Sequence, residues 1–367
     1  MEVPFFDLSR QYEAIREEVE AAMGEVMATQ RFIGGPVVER FEAEMAAYHG
    51  VSQAIGVSSG TDALLVSLMA LGIGKGDEVI TTPFTFVSPA EAILRLGARP
   101  VFVDVDATYN LDVSQVEAAM TERTRAILPV HLYGQACDMG PLMALAESKG
   151  VAVVEDMAQA IGARLGGQKV GTFGDVGCVS FFPTKNLGGA GDGGMVLCDD
   201  DELAEEIRLR CRHGARPKYH HVAVGGNFRL DALQAAVLTV KLAYLDGWSE
   251  DRRTHGAIYD EAFSDLEGLR TPVVGDDKYC VYHQYTVACE DREALVRGLN
   301  ERGIGCNIYY PEPLHEQPAI RDRAILAGSL EQAERAARQV VSLPVFPELK
   351  PSERDRVISA VRDIVGG

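Results

Sequence analysis

Between about residues 53 and 199 the chain alternates short apolar runs with helical stretches, and this alternation leaves few folds open. QAIGVS leads into Ser59, EVITT covers 78–82, RPVFVDV 99–105, AILPVHL 126–132 and VAVVE 151–155, and another strand-like run extends from Val176 to Phe182. Between them lie helical stretches such as Pro89–Leu96 and Gly140–Lys149, and the apolar spacing of ALLVSLMAL suits a buried helix ending at Gly72. Strands spaced by helices predict an α/β protein with a mostly parallel sheet and helices on both faces. Ahead of this block, residues about 10 to 31 read as a helix with an apolar stripe, the segment Phe32–Pro36 breaks it, and VVERFEAEMAAYH reads as a second helix. Residues 200–211 and 229–248 also read as helices.

After Trp248 the pattern changes. A long helical stretch, SEDRRTHGAIYDEAFSDL, leads to a strand at Tyr282–Cys289, a helix at Glu290–Arg302 and a strand at Cys306–Tyr310. The last ~40 residues look helical, broken by Leu343-Pro344-Val345. A chain of 367 residues is long enough to divide in two. The expected division is an N-terminal arm with a large domain over 1–245 and a smaller α/β domain over 246–367.

Three segments at predicted strand ends carry chemistry. The run Val176–Phe182 delivers a single lysine, Lys185, into a glycine-rich turn that continues through Gly188-Gly189 and Gly191-Asp192-Gly193-Gly194. A lysine shielded there has a lowered pKa, and its neutral amine condenses with an aldehyde; pyridoxal phosphate is the commonest biological aldehyde of this kind. The strand VAVVE runs into Asp156, with Gln159 three residues on. A carboxylate at the carboxyl end of a strand in an open α/β sheet lies in the ligand crevice, and a pyridoxal ring needs one to keep its nitrogen protonated. Ser58-Ser59-Gly60-Thr61 opens a helix, where free N–H groups, a hydroxyl and the positive dipole end suit a phosphate. Each segment alone also reads as an ordinary loop, cap or turn.

Phosphate turn, aspartate and lysine follow one another at 60, 156 and 185, and this order resembles a fold-type I pyridoxal phosphate enzyme. SSGTDAL, the Glu155–Gln159 pattern EDxAQ, SFFPTK, GDGG at 191–194, and Gly226-Asn227-Phe228-Arg229-Leu230-Asp231 with Leu233-Gln234-Ala235-Ala236 are similar to the motifs of the DegT/DnrJ/EryC1/StrS sugar aminotransferase family. The resemblance runs from Phe6-Asp7-Leu8 to Pro311-Glu312-Pro313-Leu314-His315 and beyond. It implies a large sheet domain of the seven-stranded type and a smaller C-terminal α/β domain. It implies that Lys185 holds pyridoxal 5'-phosphate and then serves as acid and base. Asp156 would pair with the ring nitrogen, Gln159 with the ring hydroxyl, and Gly60, Thr61 and Ser180 with the phosphate. Phe86 would stack on the ring. Asn227 would reach the phosphate of a neighbouring subunit, which makes a homodimer with shared active sites the minimal unit. A dehydratase branch of the family has His where this chain has Lys185.

The substrate implied is a keto nucleotide-sugar, with L-glutamate as amino donor. The run from RHG through YHH to VGGNFRLDALQAAVL looks most like relatives acting on 3-keto sugars, either UDP-linked 2-acetamido-3-keto uronic acids or dTDP-linked 3-keto-6-deoxyhexoses. A 4-keto sugar is the alternative, and a non-catalytic, cofactor-binding regulator is a reading of another class. Many relatives have His-Tyr-Pro where this chain has Tyr309-Tyr310-Pro311, so a phenol replaces a near-neutral titratable group. Tyr309, His315 and Arg229 are the substrate-facing candidates; Arg binds carboxylates bidentately. Between Arg208 and His221 the sequence RLRCRHGARPKYHH concentrates cations, either as a solvated helix end or as an anion-gripping loop.

Composition closes off other classes. A net charge of −19 argues against general nucleic-acid binding. There is no apolar run near the ~20 residues that span a bilayer. The start MEVPFFDLSRQYE is charged and lacks a signal-peptide pattern, which places the chain in the cytoplasm as an expectation. Seven scattered cysteines without a CxxC pair suit reduced thiols, with neither a disulfide framework nor a metal site expected.

Overall fold

The computed structural model describes residues 3–366. Its centre is an eight-stranded sheet in the order Gln53–Val57, Gly194–Cys198, Val176–Ser180, Ala152–Asp156, Thr124–Ile127, Glu78–Thr81, Arg99–Phe102, Ile325–Leu326. All neighbours from Val176–Ser180 to Ile325–Leu326 pair in parallel. The strand Gly194–Cys198 runs antiparallel to both of its neighbours. The sheet is therefore mixed but mostly parallel, as the strand–helix alternation predicts.

Successive side chains leave such a sheet on opposite faces, and both faces are covered. Ile80, Ile127, Val153, Val179 and Met195 join one fully buried cluster, whereas Val79, Ala126, Val154, Cys178 and Val196 join the other. The helix Gly60–Ala70 packs on the second face; it is apolar all round, and Ala63 to Leu68 are all buried. Ser59 caps it, its hydroxyl accepting from Asp62 N at 3.0 Å.

A second, three-stranded antiparallel sheet is built from Leu269–Arg270, Tyr285–Cys289 and Val340–Leu343, with its own core around Tyr259, Tyr285 and Phe346. The long helix Leu245–Phe263 leads into it. The C-terminal part is not confined to this sheet, because Ile325–Leu326 returns as the eighth strand of the large one.

Four local expectations are corrected. The helix expected over 229–248 begins only at Ala232 and ends at Leu242; Asp231 is instead tied to Ile33 by a β-bridge, and a new helix starts at Leu245. Cys306–Tyr310 is no strand: Asn307 makes one bridge to Ser342, after which the chain turns and points its tyrosines inward. The helical tail contains the buried strand Val340–Leu343 between Glu331–Gln339 and Pro351–Val365, because its β-branched pair fills the small sheet. AILPVHL is strand only to Ile127; Pro129 has no N–H for a ladder.

Candidate active site

The sheet brings three strand ends to one edge. Val57 and Ser180 are both level with Gly194, and Asp156 is level with Cys178. This is the carboxyl edge, where ligands bind in open α/β sheets. Above it lies a cavity of about 880 Å³, at the upper end of the range for small-molecule sites.

One end of the cavity is a ready anion cradle. Gly60 and Thr61 form the first turn of their helix, so their N–H groups have no intrahelical partner. The Thr61 and Ser88 hydroxyls meet at 2.7 Å, and Ser88 begins a second helix, Ser88–Arg95, aimed at the same spot. The turn lies so close to the strands that a Cβ on Gly60 would sit 2.6 Å from Ser180 Cβ, and one on Gly194 only 2.4 Å from the Ser59 carbonyl carbon. Glycine at 60 and 194 is thus a steric requirement of this cradle.

Asp156 ends its strand facing the middle of the cavity. Burial raises its pKa; the Ala158 N–H at 3.0 Å, Lys185 and His131 all pull the other way. A cation bound against it would find a carboxylate poorly compensated by the protein itself. Gln159 is fixed at both ends of its amide, its oxygen accepting from Tyr133 N at 2.9 Å and its nitrogen donating to Tyr310 Oη at 3.1 Å. One N–H of that amide remains to be offered.

Glu155, the neighbour on the other face, has a structural task. It is fully buried and accepts from Gly171 N, Phe173 N and Gly174 N, each at 2.7 Å, and it pairs with His131 Nε2 at 2.8 Å. Because Cys137 N donates to His131 Nδ1, the ring proton sits on Nε2 and goes to Glu155. The acid anchors the 171–174 loop and locks the register of Asp156.

Lys185 reaches the cavity from a tight turn held by Lys185 N to Phe182 O and Gly189 N to Phe181 O, both 2.8 Å. The buried Lys241 ammonium donates to Gly188 O at 2.7 Å and closes the turn from behind. Burial lowers the Lys185 pKa to about 8, opposed by the charge of Asp156. Its amine makes no hydrogen bond or ion pair with the described residues. A partly neutral, unpartnered amine beside a buried carboxylate and an anion cradle is equipped to capture a phosphorylated aldehyde.

Aromatic walls flank this centre. Phe86 is 56% exposed and stands over the opening, its ring 6.4 Å from that of Tyr310. Tyr309 packs between Tyr310 at 5.8 Å and Phe5 of the N-terminal arm at 6.2 Å. Gly60, Thr61, Phe86, Asp156, Gln159, Ser180, Lys185 and Tyr309 therefore share one cavity.

Asn227, Arg229 and His315 do not line it. The His315 side chain is mostly covered, with Nε2 3.5 Å from Glu334. Asn227 and Arg229 are exposed, and Arg229 borders a separate depression of about 320 Å³ with Ile33, Glu42 and Arg208. Arg229 makes no ion pair with Asp231. The basic loop is partly spent within the chain: Arg208 pairs with Glu42, Arg210 with Glu206 and Arg216 with Glu205.

Sequence reasoning gave no role to several residues of the cavity, Ser88, Tyr310, Phe5 and His283 among them. Ser88 could have been found from its place before Pro89 at a helix start. Tyr310 adjoins Tyr309, the substrate-facing candidate. Phe5 and His283 come from distant segments, and nothing local marks them.

The DegT/DnrJ/EryC1/StrS aminotransferase family profile matches residues 13–362. A pleiotropic regulatory protein of Geobacillus stearothermophilus is 49% identical over 99% of this chain and 98% of its own. A dTDP-3-amino-3,4,6-trideoxy-alpha-D-glucose transaminase of Streptomyces venezuelae is 46% identical over 98% and 96%, and a UDP-N-acetyl-3-dehydro-alpha-D-glucosamine 3-aminotransferase of Acidithiobacillus ferrooxidans 43% over 100% and 98%. Among solved structures, NtdA of Bacillus subtilis with bound cofactor PMP superposes with a TM-score of 0.93 at 32% identity, over 100% of this chain and 86% of that one.

Proposed function

Because the chain belongs to the DegT/DnrJ/EryC1/StrS aminotransferase family, we propose that it moves an amino group from L-glutamate to the 3-keto carbon of a nucleotide-sugar, using pyridoxal 5'-phosphate held at Lys185. The observation that carries this reading is the convergence of an unpartnered, pKa-lowered Lys185, buried Asp156 and the Gly60–Thr61 cradle in one cavity.

The residues present fit the cofactor. The cradle of Gly60, Thr61, Ser88 and Ser180 would take its phosphate, and Asp156 its ring nitrogen. Gln159 would offer its free N–H to the ring hydroxyl, and Phe86 would cover the ring. When bound, the cofactor supplies an aldehyde that carries the amino group and a ring that withdraws electrons. The chain does the rest. Asp156 keeps a proton on the ring nitrogen, and its raised pKa reflects how much a buried carboxylate gains from such a partner. Lys185, once its amine is free, takes a proton from the donor's α-carbon and returns it elsewhere, a task suited to a pKa of about 8. The apolar walls exclude water while this happens.

Position 3 is favoured because the two transaminase relatives, one named for a dTDP and one for a UDP sugar, both carry the amino group at carbon 3 in their names. The regulator reading takes its support from the name of the Geobacillus relative; a site this fully equipped for catalysis speaks against it. The discriminating experiment is optical. The loaded enzyme is converted by L-glutamate to the pyridoxamine form, freed of donor and offered keto sugars. Return of the yellow lysine-linked cofactor with a 3-keto sugar and not with a 4-keto sugar is expected. Cofactor binding without any response to glutamate would leave the regulator reading standing.

The active site we infer is shared between two copies of the chain. Asn227 and Arg229 lie outside their own cavity, on a segment that carries exposed apolar side chains: Tyr219 is 83% and Val224 80% exposed. In a homodimer Asn227 would reach the partner's phosphate site and Arg229 its substrate. Lys185→Ala and Asn227→Ala are each expected to be poorly active alone. Mixed and re-equilibrated, they should recover up to about a quarter of wild-type activity per site, since one site in a heterodimer is intact. Additive behaviour on mixing would refute sharing.

A further inference from the structure

The loop that follows Tyr310 brings a histidine and a glutamate against a third side chain from a later helix. One ring nitrogen of His315 and one carboxylate oxygen each of Glu316 and Glu334 lie within 4.8 Å of one another. Glu334 belongs to the helix Glu331–Gln339. Both supports are firmly held. Leu314 N donates to Pro83 O at 2.8 Å, and the N–H groups of Gln332 and Ala333 both donate to Asp104 at 2.9 Å. Between loop and helix, Phe102, Leu314 and Leu330 share a buried apolar cluster. The three side chains therefore meet on a fixed frame.

Hydrogen bonding within the chain does not account for His315. Its side chain is only 8% exposed, yet it makes no hydrogen bond with the described residues. Nδ1 is completely covered and has no partner among them. Nε2 faces Glu334 Oε1 at 3.5 Å, beyond the range of a good hydrogen bond. Buried polar nitrogens are nearly always satisfied, and an exception asks for a cause. The carboxylates are no better matched. Glu316 is exposed, and its side chain makes no hydrogen bond or ion pair with the described residues. Glu334 Oε2 meets only the outlying Arg338 Nη1, at 3.9 Å, which leaves Oε1 turned toward His315.

We propose that His315, Glu316 and Glu334 form a binding site for a divalent cation of the zinc class, going beyond the function proposed above and independent of it. None of the three lines the cavity. One imidazole nitrogen with two carboxylate oxygens is a donor set suited to Zn²⁺, whereas Mg²⁺ prefers oxygen ligands and its own water. Ligands about 2.1 Å from one ion stand roughly 3.4 Å apart around a tetrahedron. His315 Nε2 and Glu334 Oε1 already have that spacing. The exposed Glu316 side chain has to move in by only on the order of 1 Å, and a water completes the four positions. A cation here also relieves two facing carboxylates in a chain of net charge −19. It ties the loop behind Tyr309 and Tyr310 to the helix Glu331–Gln339, so its task is to brace the cavity wall.

The test is a calorimetric titration of the full-length protein, stripped of metal with EDTA, with Zn²⁺ alone as the probe. One equivalent is expected to bind, and excess Mg²⁺ should not displace it. At about a hundredfold excess over Kd, Zn²⁺ should raise the melting temperature by roughly 3–4 °C. His315→Gln and Glu316→Gln should each weaken binding by at least about 10–100-fold, since the loss of even an outer partner of a metal ligand costs this much. Glu316→Gln alters an exposed side chain, so a folding failure does not mimic its effect; a melt without metal checks His315→Gln. Failure to bind Zn²⁺, unchanged affinity in Glu316→Gln or in a folded His315→Gln, or displacement by Mg²⁺ would each overturn the proposal. Transamination is not read in this experiment, so none of these outcomes bears on the role given to Lys185.

Discussion

Lys185→Ala should lower turnover on the order of 10⁴-fold while the protein still folds. In the proposed function the amine is the proton carrier: it has no partner among the described residues, and burial keeps it near a pKa of about 8, where it can both accept and release a proton at working pH. No neighbour can replace it. His283 is held neutral far below its ordinary range, and Tyr310 is raised well above its own, both mainly by burial. Stability should not suffer, because the lysine makes no side-chain bond that alanine would break and its loss relieves a desolvated charge. Single-turnover rates with L-glutamate, alongside a thermal melt, check both halves. A Lys185→Ala protein that turns over at the normal rate would remove the basis of the functional assignment.

Glu155→Ala is expected to have the opposite profile, with the primary loss in stability, roughly 3–5 kcal/mol. Its carboxylate satisfies three backbone N–H groups of the 171–174 loop and the proton of His131, all within the core. Alanine leaves those donors buried and unpaired. Glu155→Gln keeps acceptor oxygen but must turn an NH₂ toward at least one donor, so an intermediate loss is expected. Chemical denaturation of the three proteins measures the order. Activity of Glu155→Ala should fall as well, because the loop and His131 fix the strand that carries Asp156. Equal stability of wild type and Glu155→Ala would show that the loop is anchored elsewhere.

The contrast between Glu155 and Asp156 shows what a linear reading resolves. Both sit in one motif, and only Asp156 received a role from the sequence, because a carboxylate at a strand's carboxyl end has a stated chemistry. Glu155 points to the other side of the same strand, and its donors come from residues 16 to 19 positions later and from His131. No spacing rule announces that. Arg229 shows the reverse case. Its segment is legible as a motif, yet within one chain the residue stands exposed beside Glu42 and Arg208, away from the cavity. The strand expected over 306–310 is another case: among the described residues the segment makes only the Asn307–Ser342 bridge, and its tyrosines line the cavity instead.

The sequence by itself determined the layered α/β architecture and singled out Gly60, Asp156 and Lys185, which the fold brings together in one cavity at the carboxyl edge of the sheet. These follow from local rules: strand and helix periodicity, the fate of strand ends, and the free N–H groups at a helix start. The tertiary structure alone decided which distant side chains complete the cavity. Phe5, His283 and Tyr310 arrive there from segments that are far apart in the chain, and the buried Arg252 guanidinium donates to the carbonyl of one of them, His283. It also decided that His315 stays out of the cavity and that Ile325–Leu326 becomes the eighth strand of the large sheet. Such outcomes depend on the geometry of packing between elements, and neighbouring residues along a chain carry no record of it.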